Sequence, residues 1–191
     1  GLEAITGGFD YDSDMLIEAT SGGQINLSSV IQIAGPDNGD TRRRAIDVRA
    51  NGVGSTIQLA SLVNFIDRQA FTGSSDGQYS TLSATNSGVI QLSTDLADNI
   101  QLAGVGITLD NTGTLPVERI TSLTNGQANL TGGGAFVFPA LNNGHSTEWL
   151  VSGPTTSLNL PQLTDLSRGL VRLTGGATAV ASQVSNIDGA S

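Results

Sequence analysis

Short runs in which apolar and polar residues alternate recur along the chain, and five of them share one phrase, an Asn or Gln between two apolar residues. The phrases are QINL at 24–27, TIQL at 56–59, VIQL at 89–92, QANL at 127–130 and SLNL at 157–160. In each phrase the flanking residues, such as Ile57 and Leu59, alternate with the amide, which is a period of two rather than 3.6. This pattern predicts short strands with an apolar inner face, and helices are not expected to dominate.

The spacing of the phrases predicts stacked repeats. The residues just before the amides are Ile25, Ile57, Ile90, Ala128 and Leu158, and a contracted sixth copy lies at 177–180. Repeats that recur every few tens of positions are typical of solenoids, in which each repeat buries its apolar face against its neighbours. The near-regular recurrence therefore indicates copies of one structural unit.

Two further extended runs flank each phrase. Upstream runs lie at 15–20, 44–50, 79–85, 117–123, 147–153 and 169–175, and downstream runs lie at 30–34, 62–66, 99–103, 136–141 and 163–166. Together they predict an all-β fold of about six coils with three short strands in each coil. Polar, glycine-rich segments follow the third strand at 35–43, 67–78, 104–116 and 142–146. Loop insertions are therefore expected at one corner, because extra residues inside a stacked strand would reverse its faces.

These repeats resemble those of right-handed parallel β-helices, which are single-stranded β-solenoids, with the form xLxVxxxGGxIxLxxLxxL found in large bacterial secreted, cell-surface and adhesin-like proteins. The resemblance runs from about residue 14 to 191, and TGGGAFVF at 131–138 and the contracted last copy depart from it. It implies one β-solenoid domain over 1–191, with 1–14 as an N-terminal cap or partial coil, and an extracellular or cell-surface location.

The composition narrows the choice of partners. The 191 residues include 25 Gly but no Cys, and the formal net charge is −9. A strongly acidic chain disfavours nucleic acid and anionic membranes, and no apolar run approaches the roughly 18 residues of a membrane span. An uncapped solenoid exposes strand edges, so we expect a segment of a longer protein whose partners are neighbouring repeats or another copy.

Two acidic turns carry oxygen-rich side chains at spacings that suit a calcium ion. The first contains Asp10, Asp12 and Asp14, and the second contains Asp37 and Asp40. An EF-hand loop would need Gly at position 15 and Glu at position 21, where Met15 and Ser21 stand. The alternatives are an acidic cap that protects an exposed strand edge and an ordinary Asn-Gly turn.

Arg42, Arg43 and Arg44 form a basic run in this acidic chain. Guanidinium groups bind carboxylates in a bidentate manner, so an acidic polysaccharide is one candidate ligand. The alternative is structural, with at least one of these arginines paired to Asp37 or Asp40.

The histidine His145 lies close to Ser146, Glu148 and Trp149. Sequence neighbours in a loop rarely have the geometry of a catalytic triad, so no catalytic residue is assigned. Trp149 is either a core residue or, with His145, part of a glycan-binding surface. Pectin-degrading β-helix enzymes carry clustered Asp pairs, Gly-His-Gly and Arg-x-Lys, whereas this chain has only GHS at 144–146 and no Lys. An enzyme is therefore not favoured.

The amides of the repeated phrases predict one outward column, which would stabilise coil register by side-chain hydrogen bonds. Its members are Asn26, Gln58, Gln91, Asn129 and Asn159. With the repeated phrase assigned to the scaffold, two functions remain. One is a structural or adhesive repeat module of a larger bacterial surface or secreted protein. The other is a carbohydrate-binding or polysaccharide-degrading β-helix that uses the corner with the loop insertions.

Overall fold

The computed structural model describes residues 1–40, 42–68, 78–93, 95 and 99–191, and within them it contains 18 strands and no helix. In chain order the strands are β1 (Ala4–Thr6), β2 (Met15–Thr20), β3 (Gln24–Asn26), β4 (Gln32–Ala34), β5 (Ile46–Asn51), β6 (Thr56–Leu59), β7 (Asn64–Ile66), β8 (Ser80–Thr85), β9 (Val89–Leu92), β10 (Ile100–Ala103), β11 (Val105–Leu109), β12 (Ile120–Thr124), β13 (Gln127–Leu130), β14 (Gly134–Val137), β15 (Glu148–Ser152), β16 (Thr156–Asn159), β17 (Leu170–Thr174) and β18 (Thr178–Val180).

Strands from successive parts of the chain stack in parallel. The seven-stranded sheet has the order β2-β5-β8-β11-β13-β15-β17, and the five-stranded sheet has the order β1-β4-β7-β10-β12. Two three-stranded sheets have the orders β3-β6-β9 and β14-β16-β18. Parallel sheets that the chain visits in turn are the arrangement of a β-solenoid, so the predicted all-β class and the parallel stacking are confirmed.

Five of the six predicted upstream runs meet in the seven-stranded sheet, where they form β2, β5, β8, β15 and β17. Within the predicted cap at 1–14, β1 pairs with β4 and thereby adds a strand to the five-stranded sheet. Most of the predicted insertion at 67–78 falls at 69–77, outside the described residues.

The prediction was wrong around residue 110. The segment 104–116, expected to be a loop, contains β11, and the run at 117–123, expected on the seven-stranded side, forms β12 of the five-stranded sheet. Val105, Ile107 and Leu109 alternate inward and are buried. Their burial stabilises a strand that the flanking glycines concealed in the sequence.

The coil period shortens along the chain. In the first coils Met15 pairs with Ile46, whereas in the last coils Gln127 pairs with Glu148 and Glu148 pairs with Leu170. The late steps are close to the minimal solenoid repeat of about 20 residues. The early coils are longer because more residues separate their paired strands.

A continuous apolar core fills the space between the sheets, because alternate side chains of each strand point inward. Trp149 is its largest fully buried side chain, and it stacks in sheet register beside Ala128 on the neighbouring strand. The ring of Phe138 meets the Trp149 ring edge-on, with centroids 5.5 Å apart. A small residue beside a large one keeps the packing dense in that layer.

In four successive coils, a residue in the left-handed backbone region lies just before a strand of the seven-stranded sheet. We call this column the left-handed corner, and its members are Gly104 (φ 69°), Asn125 (φ 49°), Ser146 (φ 52°) and Arg168 (φ 57°). Their backbone N–H groups donate to the carbonyls of the next coil, as in Ser146 to Ser167 at 2.8 Å. The left-handed region suits Gly and Asn, whereas Ser and Arg adopt it at a cost.

Candidate functional site

A groove of about 720 Å³ follows the left-handed corner along the stack of coils. Its polar lining comes mainly from Asp67, Arg68, Tyr79, Asn125, Glu148 and Arg168. Ser80, which directly follows Tyr79, pairs with Val105 on the neighbouring coil. At this corner the neighbouring coil contributes only the small residues Ala103 and Gly104, and their small size leaves the recess.

The pairing along the corner gives the length of the groove. Ile66 pairs with Ala103, and Ala103 pairs with Thr124. Two further steps follow, from Asn125 to His145 and from Ser146 to Ser167, through backbone hydrogen bonds of 3.0 and 2.8 Å. Four steps between adjacent parallel strands correspond to about 19 Å. The groove is therefore elongated along the solenoid axis.

The two carboxylates of the groove are held in place by hydrogen bonds. Asp67 is 6% exposed, and its Oδ2 accepts hydrogen bonds from the hydroxyl of Ser80 at 2.7 Å and from the Ser80 backbone N–H at 3.3 Å. Oε2 of Glu148 accepts a hydrogen bond from Nε2 of Gln127 at 2.9 Å, across neighbouring strands. These contacts fix two acceptor positions along the groove, on different coils.

The two arginines and the tyrosine supply donors. Arg68 donates from Nη1 to the carbonyl of Gly35 at 3.3 Å, and Arg168 is exposed at the far end. The half-buried position of Tyr79 raises the pKa of its hydroxyl, and the charge of Glu148 raises it further. The Tyr79 hydroxyl therefore stays protonated at neutral pH, where it is able to donate a hydrogen bond.

The predicted acidic turns have other partners. Oδ1 of Asp14 accepts a hydrogen bond from the backbone N–H of Ala45 at 2.8 Å, which fixes the N-terminal end of β5. Asp10 contributes its backbone carbonyl to Ser13, and Asp12 adopts a left-handed turn conformation. Among the described residues no group of three or more His, Asp or Glu side chains is arranged to hold a metal ion. The calcium prediction for Asp10, Asp12, Asp14, Asp37 and Asp40 therefore gains no support.

The arginine run divides into different environments. Arg42 forms an ion pair with Asp40 at 2.5 Å, as the structural alternative predicted, and this contact lowers the pKa of Asp40 to about 2. The guanidinium groups of Arg42 and Arg43 lie 4.9 and 6.0 Å from the ring centre of Tyr11.

Arg44 is the buried member of the run. It donates to the backbone carbonyls of Asn38 at 2.6 Å, Pro36 at 3.3 Å and Phe9 at 3.3 Å, which ties two turns together. The hypothesis of a glycan contact at Arg44 gains no support, because the residue is buried and both of its Nη atoms donate to the main chain.

His145 does not face its sequence neighbours Ser146 and Glu148 as an acid–base group. Its Nδ1 lies 2.8 Å from Oγ of Ser167, on the next coil, and that hydroxyl donates to Oδ1 of Asp165 at 2.6 Å. Hydrogen bonds from the Ser167 hydroxyl and backbone N–H lower the pKa of Asp165, with burial opposing them and His145 adding a smaller effect. This arrangement is a link between coils.

Trp149 is 0% exposed, so its ring is not available to stack on a sugar. Of the two roles predicted for this residue, the structure shows the core role. The glycan-binding role is corrected for the same physical reason, since exposing the ring would open the packed coil.

The single amide column is also corrected. Asn26 pairs with Gln58 and Gln58 with Gln91, so three amides stack in the β3-β6-β9 sheet as predicted. Asn129 lies instead in the seven-stranded sheet between Thr108 and Leu150, and Asn159 lies between Val137 and Val180. Oδ1 of Asn26 accepts the N–H of Ser28, which caps the turn after β3.

Five polar residues of the groove were missed in the sequence: Asp67, Arg68, Tyr79, Asn125 and Arg168. Aligning the last repeats at their own, shorter period would have placed Asn125, Ser146 and Arg168 in one column. The sequence would still not have revealed the corner, because different residue types adopt the left-handed conformation there.

In the part of the chain that the structure describes, no helix is long and apolar enough to cross a membrane. Comparisons with protein-family models, curated proteins and solved structures find no match to this chain.

Proposed function

We propose that the chain is a structural and adhesive repeat module of a larger bacterial surface or secreted protein, and that its coils wind as a right-handed parallel β-helix. Right-handed winding is supported by the parallel pairing of β2, β5 and β8, whose connections leave the sheet and return to it. Such crossovers are right-handed in about 98% of cases. The seven-stranded sheet favours seven coils in place of six.

The observation that carries this proposal is the open edge of β17. Leu173 on that strand is 41% exposed, whereas Val151, its partner in the same inward column, is 1% exposed. Val171 donates its N–H to the carbonyl of Ser191 at 3.1 Å, and Ser191 donates its N–H to the carbonyl of Gly169 at 2.9 Å, so this edge accepts a neighbouring chain segment in parallel. An inward apolar residue and free backbone groups together form a surface suited to another coil.

The opposite edge has the same character. Ile17 of β2 is half-buried, whereas its partner Val48 on β5 is fully buried, and Leu16 is exposed. Neither β2 nor β17 contains Pro, which commonly protects edge strands, and each contains a single charged residue, Glu18 and Arg172. Both edges are therefore proposed to stack on further coils, which neighbouring repeats or another copy would supply.

The decisive experiment adds one coil. A second copy of residues 171–191 appended after Ser191 places the new strand beside β17, and we expect the thermal midpoint to rise by at least about 4 °C. Replacing Leu173 by Lys in the extended chain removes the gain, whereas the matched change Arg172→Lys on the outward face of the same strand keeps it.

Concentration-dependent mass, measured by sedimentation of the original chain, is the second readout. Association that Leu173→Lys abolishes supports stacking between copies. If the appended coil adds no stability and the mass is that of a monomer at all concentrations, the stacking proposal fails.

A further inference from the structure

We infer that the groove along the left-handed corner binds a neutral, hydroxyl-rich oligosaccharide chain, held by Arg68, Tyr79, Glu148 and Arg168. The inference rests on the adhesive part of the proposed function and is independent of the stacking part. It places recognition at the corner between the five- and seven-stranded sheets.

The shape of the groove favours a chain as the ligand. It extends about 19 Å over four coil steps, while its floor is formed by small residues such as Ala103 and Gly104. Small-molecule sites usually enclose most of the ligand. A long recess along a corner instead contacts one segment of a polymer. The polymer is then able to extend beyond the recess at both ends, as an oligosaccharide chain would.

The charges favour a neutral ligand. The side chains of Arg68 and Arg168 are balanced by those of Asp67 and Glu148, so the side chains of the groove carry no formal net charge, although the chain as a whole carries −9. A polyanion would meet an acidic protein without a local excess of positive charge. Sugar hydroxyls both donate and accept hydrogen bonds, and they match a lining that alternates cationic donors with carboxylate acceptors.

The bonding pattern leaves capacity for such a ligand. Oε2 of Glu148 is occupied by Gln127, whereas Oε1 accepts no hydrogen bond from the described residues. The half-buried ring of Tyr79 lines the groove, and an aromatic ring suits contact with the apolar side of a sugar ring.

The left-handed corner places the side chain of Arg168 at one end of the groove. This residue has a φ of 57° at a position that Gly104, Asn125 and Ser146 occupy in other coils. Arginine adopts this conformation at a higher cost than glycine or asparagine.

The test measures binding of defined oligosaccharides by calorimetry. The neutral probes are hexamers of β-1,4-glucose, of mannose and of N-acetylglucosamine, and the anionic probes are oligogalacturonate and a sulfated glycosaminoglycan fragment. We expect at least one neutral hexamer to bind, and Tyr79→Ala or Arg168→Ala to weaken that binding by about tenfold or more. Arg172→Ala, which removes an exposed arginine outside the groove, leaves the affinity unchanged.

Arg168→Gly separates binding from folding. Glycine relieves the left-handed strain while it removes the guanidinium, so we expect a higher thermal midpoint together with weaker binding. Three outcomes overturn the inference: no neutral probe binds, only the anionic probes bind with a steep salt dependence, or Tyr79→Ala and Arg168→Gly bind as well as the original chain. None of these outcomes affects the appended-coil experiment, so failure of the groove and failure of stacking are distinguishable.

Discussion

The imidazole Nδ1 of His145 and the hydroxyl Oγ of Ser167 lie 2.8 Å apart on neighbouring coils. The Ser167 hydroxyl gives its single proton to Oδ1 of Asp165 at 2.6 Å. Nδ1 of His145 must therefore carry a proton and act as the donor. A catalytic serine needs the histidine to accept its proton, and a carboxylate to orient that histidine. Here the serine stands between the two, so the same three residue types form a structural bridge.

Removing this bridge should destabilise the stack of coils. Ser167→Ala leaves Nδ1 of His145 without its acceptor and deprives Asp165 of a hydroxyl donor, and we expect a loss of about 1–2 kcal/mol in the free energy of unfolding. Urea denaturation at pH 7 measures the loss, with Ser157→Ala on the outward face of β16 as the control. Equal stability of the two variants would show that the bridge contributes nothing.

Acid should weaken the fold through Asp110. Burial raises the pKa of Asp110, but hydrogen bonds from the backbone N–H groups of Asn86, Gly113 and Thr112 and from the Thr112 hydroxyl outweigh it and lower that pKa from 3.8 to about 2. Because the folded-state pKa lies below the ordinary value, the ionised carboxylate stabilises the fold above pH 3.8. This contribution disappears as the pH falls towards 2.

Asp110→Asn isolates this contribution. The variant should be less stable than the original chain at pH 6, and its free energy of unfolding should fall less between pH 4 and pH 2. Unfolding curves at half-unit steps of pH measure both effects, with Asp188→Asn as the control. Parallel pH profiles for the original chain and Asp110→Asn would contradict the assignment of this acid dependence to Asp110.

The sequence pattern was sufficient for the class of fold but not for the register. The first three phrases are almost evenly spaced, and their amides stack as the spacing predicts. The next coil is shorter, with Thr81 paired to Gly106, and the β3-β6-β9 sheet continues there only as a bridge from Val89 to Thr114. A recurring phrase alone could not show that QANL at 127–130 had moved to another sheet.

The site was harder to predict, because its residues meet only through stacking. His145 lies beside Ser146 in the sequence, but its partner Ser167 is one coil period away. Arg68 and Arg168 lie far apart in the sequence and line the same groove. Contacts of this kind depend on the exact number of residues in each coil. That number varies with the lengths of the turns, which the alternation of apolar and polar residues in the strands does not show.

The layer that contains Trp149 should respond to changes in volume. Trp149→Ala removes a fully buried ring and should cost about 3–5 kcal/mol, whereas Ala128→Leu overpacks the same layer and should cost about 1–3 kcal/mol. The two residues are sheet neighbours, so Ala128→Leu combined with Trp149→Ala should cost less than the sum of the single changes, because the added leucine enters the space that the ring leaves. Urea unfolding of the single variants, the double variant and the original chain measures the coupling, and strict additivity would show that the two side chains do not share space.

Gly113 lies where the chain passes from β11 towards the edge of the β3-β6-β9 sheet, and the close approach of the coils there should make it indispensable, whereas Gly106 within β11 should be replaceable. A Cβ added to Gly113 would lie 1.9 Å from the carbonyl oxygen of Ala84, so Gly113→Ala must displace the main chain of the neighbouring coil. A Cβ added to Gly106 meets its nearest atom, a methyl of Thr81, at 3.5 Å, which is an ordinary contact. We expect Gly113→Ala to lower the thermal midpoint by well over about 4 °C, and Gly106→Ala to leave it unchanged or to raise it slightly, because alanine restricts the unfolded chain. Thermal scans monitored by circular dichroism compare the two directly. Equal effects would mean that the coils separate at this corner more easily than their spacing indicates.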